Sequence, residues 1–141
     1  MIRQNTKAPI PVFLQNTNSD QTLQIGQHFN DFPHSALDAA ADLRDAGLDV
    51  GVRVINVVKP FDESLLETGS KLIVTIEDNA LTGGFGETLR SRACGTCPAV
   101  LSYGIPDRFV PHGSVAELRK ECGMTAEDIV KGVTGFFERK A

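Results

Sequence analysis

Leu72–Glu87 reads LIVTIEDNALTGGFGE. Its first half has the pattern of a strand and its second half opens a helix. Leu72, Ile73, Val74 and Ile76 form a nearly unbroken apolar run rich in β-branched residues, which suits a strand covered on both faces. Glu77, Asp78 and Asn79 follow as a tight acidic turn at the strand's carboxyl end. In open α/β sheets that end is where ligands and partners dock. Gly83, Gly84 and Gly86 let the backbone approach a neighbour closely or take φ > 0. The plainer alternative is a strand-to-helix loop whose glycines only let the helix lie tightly on the sheet.

On the amino side of this stretch, 1–8 is a loose polar end and Pro11–Gln15 a short strand, which Pro9 and Pro11 place at an edge or a strand start. Thr22–Gly26 alternates Leu23 and Ile25 with polar residues and predicts a second strand. Ala36, Leu37, Ala40, Ala41 and Leu43 recur at helical spacing; Asp31 or Ser35 is the expected cap and Gly47 the stop. Asp49–Val58 is the next strand, and Pro60–Thr68 a short helix that Gly69 ends.

On the carboxyl side, Gly84–Ala93 reads as a helix, Pro98–Tyr103 as a strand and Gly104–Gly113 as irregular. Ser114 and Glu117 have capping-box spacing, and Thr125 and Asp128 repeat the device. Ile129, Val130, Val133, Phe136 and Phe137 make the apolar stripe of a last helix. Strands alternating with helices predict an α/β fold with a parallel sheet and helices on both faces.

The 141 residues suit a single domain, 1–141, with a core of its own. The net charge of −4 and the lack of a basic stripe argue against nucleic acid. No apolar run approaches a membrane span and no secretion signal opens the chain, so a cytoplasmic protein is expected. Three cysteines, an odd number, argue against a secreted disulfide framework.

Cys94-x-x-Cys97 invites a redox or metal reading. A redox pair has its first cysteine at a helix N-terminus, whereas this pair follows a helix and leads through Pro98 into a strand. Zinc needs two further ligands; Cys122 and His112 exist, but no second CxxC does. Loop cysteines without a role are therefore favoured over a labile disulfide or a metal site. His28, His34 and His112 have no nucleophile partner that would make a hydrolase triad. Gly83-Gly84-Phe85-Gly86 matches neither common phosphate loop, and Glu87 would oppose an anion there.

Three blocks together resemble one family. They are Val54–Asp62 (VINVVKPFD), Ile76-Glu77-Asp78-Asn79 with Gly83–Gly86, and Gly104–Phe109 (GIPDRF) with His112-Gly113. In this order and at these intervals they look like the C-terminal domain of transketolase-like thiamine-diphosphate enzymes, most closely 1-deoxy-D-xylulose-5-phosphate synthase. The likeness covers about residues 20–135.

The resemblance implies a three-layer α/β/α domain with a five-stranded, mostly parallel sheet and one antiparallel strand, assigned to Pro11–Gln15. Two departures stand out. The CGTC segment is not a family feature, and the chain lacks the Gly-Asp-Gly signature that positions a metal for the cofactor diphosphate. No catalytic residue is carried over. Alone the chain is expected to bind no cofactor, with thiamine diphosphate and magnesium on partner domains.

The resemblance also implies a homodimer, a separately encoded thiamine-binding subunit as partner, or both. The expected contact surface is the carboxyl edge of the sheet: Glu77, Asp78, Asn79, Gly83 and Gly84, joined by Arg108 and His112 as possible donors to those acceptors. A stand-alone binding or regulatory module of the same fold is the main alternative, and a small redox or metal protein using Cys94 and Cys97 a further one.

Overall fold

The structure, a computed structural model, describes residues 10–15, 32–55, 59–67, 70–93 and 98–140. In chain order the described elements are β1 (Ile10–Gln15), α1 (Phe32–Asp45), β2 (Val50–Ile55), a 3-10 turn at Glu63–Leu66, β3 (Leu72–Ala80), α2 (Phe85–Arg92), β4 (Ala99–Ile105), α3 (Val115–Glu121) and α4 (Ala126–Lys140).

The strands form one sheet in the order β2-β1-β3-β4, and every pairing among them is parallel. One expectation is overturned: the strand at 10–15 is parallel and central, not antiparallel. The described residues hold four of the five expected strands. Pro11 lies in register with Gly51 of β2, near the start of the strand and before the β1–β3 ladder begins at Val12. The strand expected at Thr22–Gly26 lies outside the described residues, as do Asp31, Gly69, Cys94 and Cys97.

β3 carries the core. Its side chains alternate between faces, and residues 72–77 are buried on both. Leu72, Val74 and Ile76 pack with Ala36, Ala39, Ala40 and Leu43 of α1 and Ile129, Val133 and Phe137 of α4. Ile73 points the other way, into a cluster with Phe85 and Leu89 of α2, Ile55 and Leu65. The unbroken apolar run in the sequence thus becomes a strand sandwiched between helices on both faces. Fully burying one such side chain stabilises by roughly 1.5–3 kcal/mol.

Local chemistry sets the element ends. Helix α1 stops before Gly47, at φ 91°, where a glycine takes the left-handed conformation at no steric cost. Ser35 lies inside α1 rather than capping it. The helix expected at Pro60–Thr68 is only the 3-10 turn Glu63–Leu66, because Asp62 is its cap: Asp62 Oδ1 accepts from Ser64 N at 3.0 Å and from Ser64 Oγ at 2.6 Å. At α3 both halves of the capping box form between Ser114 and Glu117. Thr125 and Asp128 reciprocate in the same way at the start of α4.

Candidate functional site

The acidic segment Glu77–Asn79 is not a turn. β3 continues to Ala80, and its ladder with β4 is irregular: Ile76 pairs with Tyr103 and Ala80 with Ile105, so β3 advances four residues while β4 advances two. The extra length bulges the strand at its carboxyl end, a common device for re-aiming side chains. Leu81 N donates to Ile105 O at 2.9 Å and closes the bulge onto β4. Gly104 lies beneath it, where a Cβ would crowd Asn79 O at 2.9 Å.

The bulge splits the acidic trio. Asp78 and Asn79 are exposed, and Asn79 Oδ1 accepts from Ala80 N at 2.8 Å. Glu77 goes inward and is fully buried. Its Oε2 accepts from Phe85 N at 2.7 Å and Gly86 N at 3.3 Å, the first amides of α2. Gly84 occupies the N-cap position and has no side chain to offer, so a carboxylate from the neighbouring strand does the capping. Gly84 and Gly86 are what let α2 come this close. A Cβ at Gly84 would collide with Glu77 Oε1 and the Ala80 carbonyl, and one at Gly86 with the hydroxyls of Thr75 and Ser102.

Burial is the main cause that lifts the Glu77 carboxyl above its ordinary value of 4.5; Glu87 adds to it, and the Gly86 and Phe85 amides oppose it. Glu87 itself faces solvent and its Oε2 accepts from Gly83 N at 2.8 Å.

The residues expected to form a contact surface therefore divide. Asp78, Asn79, Gly83, Arg108 and His112 are exposed; Glu77 and Gly84 are buried and present nothing to a partner. Within the chain Arg108 does not donate to Asp78 or Asn79. It reaches Glu121 at the end of α3, with Nη1 to Oε1 at 3.0 Å and Nη2 to the main-chain O at 2.8 Å. The pairing is local: Arg108 meets the negative end of a helix, where a cation is favoured.

Sequence reasoning missed the apolar part of this edge. Phe109 is 85% exposed, with Ile105 and Val115 exposed nearby in the chain. The signal was available: an aromatic held between Arg108 and Pro111 in a segment with no helical or strand period has no core to enter.

Among the described residues no three His, Cys, Asp or Glu side chains converge in a way that could hold a metal ion. No helix among them is long and apolar enough to cross a membrane. A separate groove between α1 and α4 is lined by Asp38, Asp42, Glu127 and Lys131 with Ala41, Ala126 and Val130, a mostly acidic, solvated face.

Residues 32–129 match the family model of the transketolase C-terminal domain. The chain is 36% identical over 141 residues to 1-deoxy-D-xylulose-5-phosphate synthase of Chlorobaculum tepidum, covering 94% of this chain and 22% of that protein. It is 41% identical over 111 residues to the synthase of the same name from Geobacillus thermodenitrificans, covering 74% of this chain and 18% of that one. It thus spans about a fifth of the length of these relatives. A solved structure described as a split gene transketolase, inactive beta4 tetramer, superposes with a TM-score of 0.71 at 22% identity, over 94% of this chain and 41% of that one, and shares its fold. On the family match over most of its length, the chain belongs to the transketolase C-terminal domain family.

Proposed function

We propose that this chain is the carboxyl-terminal subunit or domain of a split transketolase-type enzyme, one that transfers a ketol unit with thiamine diphosphate. Its role is assembly and dimer contact, and it is not catalytic alone. The observation that carries this reading is the exposed carboxyl edge, where Phe109 stands 85% exposed beside the Arg108–Glu121 pair, with Asp78 and Asn79 exposed on the neighbouring bulge. An exposed aromatic with an arginine beside it in the chain suits a protein contact, where a few aromatic and arginine residues dominate affinity. The split transketolase of the same fold supports a separately encoded arrangement.

Thiamine diphosphate needs a divalent cation for its diphosphate, and the described residues bring no metal-ligating trio together. The cofactor with its magnesium is placed on partner domains.

The test is co-expression with the candidate thiamine-binding chain. Co-purification, with ketol transfer by the mixture and not by this chain alone, is expected. Joint substitution Arg108→Ala and His112→Ala should weaken homo- or hetero-association while leaving the fold intact. Association unchanged in ultracentrifugation and pull-down would remove the edge as the interface.

A further inference from the structure

Glu77 is the one buried carboxylate of the described core, and its two oxygens have unequal surroundings. Oε2 takes both amides of α2. Oε1 is sealed from solvent and accepts no hydrogen bond. Oε1 and the Ala80 carbonyl oxygen both crowd the point that a Cβ on Gly84 would occupy. Oε1 is buried without a donor and the Ala80 carbonyl oxygen lies against the same side of Gly84, and two oxygen lone pairs brought together there repel unless a hydrogen or a cation lies between them.

The charges around Glu77 do not supply a cation. From α2, Glu87 faces it with the same sign. The cations of that helix, Arg90 and Arg92, sit in its last turn and are occupied by Val100 O and Glu63. Across the ladders, Gln15 of β1 in register is uncharged, and β4 carries no charged residue from Ala99 to Ile105, its only titratable group being Tyr103. Tyr103 pairs with Ile76 in register, and its hydroxyl lies against Gly132 of α4, on the opposite side of the sheet from α2. Asp78, next along β3, is exposed.

We propose that Glu77 is held in the folded protein as a neutral carboxylic acid, with its proton on Oε1 directed at the Ala80 carbonyl, and that ionising it loosens the 80–84 turn and the start of α2. The neutral acid accepts two amides on one oxygen and donates from the other, so every polar atom of the group is satisfied. The charged form leaves Oε1 facing a carbonyl with nothing between. The turn it controls joins the exposed bulge of β3 to α2, so protonation ties the shape of the carboxyl edge to pH. The inference stands apart from the assembly reading, since it concerns the folded chain whether or not a partner is bound.

The sign follows from the direction of the shift. A carboxyl whose folded value lies above 4.5 binds more protons folded than unfolded. Its stabilising contribution is complete below the ordinary glutamate value and is lost as pH rises through the raised one. Glu77→Gln is the isostere of the neutral acid, with the amide oxygen replacing Oε2 and the amide N–H replacing Oε1–H.

Two measurements test this. The carboxyl carbon of Glu77 in the unaltered protein, followed by NMR, is expected to report the protonated acid at neutral pH. Thermal melts of Glu77→Gln are expected to be no lower than wild type at neutral pH, with a shallower fall in Tm toward alkaline pH. A carboxyl that is ionised at neutral pH overturns the proposal whether or not the variant folds. So does a variant that melts well below wild type at neutral pH, or a wild-type Tm that rises with sodium or potassium and loses that response in Glu77→Gln; the orphan oxygen would then be a cation ligand.

Discussion

Thr75 donates its hydroxyl hydrogen to Ser102 Oγ at 2.9 Å across the β3–β4 pair, and Gly86 of α2 rests on both hydroxyls. The contact explains why Gly86 carries no side chain. Phe85 and Leu89 pack the helix onto Ile73, Gly86 lets its backbone come this close, and Glu77 on the same face of β3 completes the attachment through the amides of Phe85 and Gly86. Gly86→Ala would push a methyl group into an occupied site. Overpacking of this kind costs about 1–3 kcal/mol. Urea denaturation should show a lower midpoint at unchanged slope, and a midpoint equal to wild type would mean that α2 can slide to make room.

Helix α4 offers a matched pair. A Cβ at Gly135 meets nothing within 4 Å, whereas one at Gly132 would collide with the hydroxyl of Tyr103. Gly135→Ala should stabilise by about 1 kcal/mol through helix propensity alone. Gly132→Ala should forfeit that gain and destabilise. Adding Tyr103→Phe, which removes the colliding oxygen, should recover at least about 1 kcal/mol in a double-mutant cycle. Strict additivity of the two changes would show that the collision is relieved by motion elsewhere.

Helix α3 buries no residue fully, so its capping box has an outsized share in holding it. Ser114→Ala should cost the helix about 1 kcal/mol, seen as faster amide exchange in 115–121 with little change in β3. The backbone and hydroxyl of Ser114 hold the Glu117 carboxyl below its usual value of 4.5. A lowered carboxyl stabilises above its unfolded value and loses that contribution as pH falls through the folded one. Protection of the α3 amides relative to their intrinsic exchange rates should therefore fall in acid for wild type and be flatter in Ser114→Ala. Parallel acid responses in the two proteins would show that the box does not couple to Glu117.

Phe109 separates folding from association. At 85% exposed, Phe109→Ser should change stability by no more than about 0.5 kcal/mol. If the carboxyl edge is a contact surface, the same change should weaken assembly by tenfold or more, which is about 1.4 kcal/mol. Sedimentation of the variant beside wild type checks both, and an unaltered association constant would point to a different face.

What the sequence determined by itself is chiefly local. The apolar run 72–76, with its β-branched residues, suited a strand buried on both faces, and the stripe of Ile129, Val133 and Phe137 the inner face of a helix, and both are buried so. Ser114 with Glu117 set a helix start because a hydroxyl and a carboxylate three residues apart answer each other's backbone donors. The three blocks that resemble a transketolase C-terminal domain, taken in order, named the family before any coordinate did.

What the tertiary structure decided is direction, side and partner. Periodicity is the same for a strand run either way, so only the pairing of Ile10–Gln15 between β2 and β3 made it parallel and central. Glu77 and Asp78 are adjacent acids of nearly equal chemistry, and alternation alone cannot say which faces in. The amides of α2, free at the helix start and arriving over one face of β3, drew Glu77 inward and left Asp78 in water. Arg108 went to Glu121 for the same reason: a long cation takes the nearest helix end and carboxylate that folding brings within reach, and that proximity is a property of the packed chain alone.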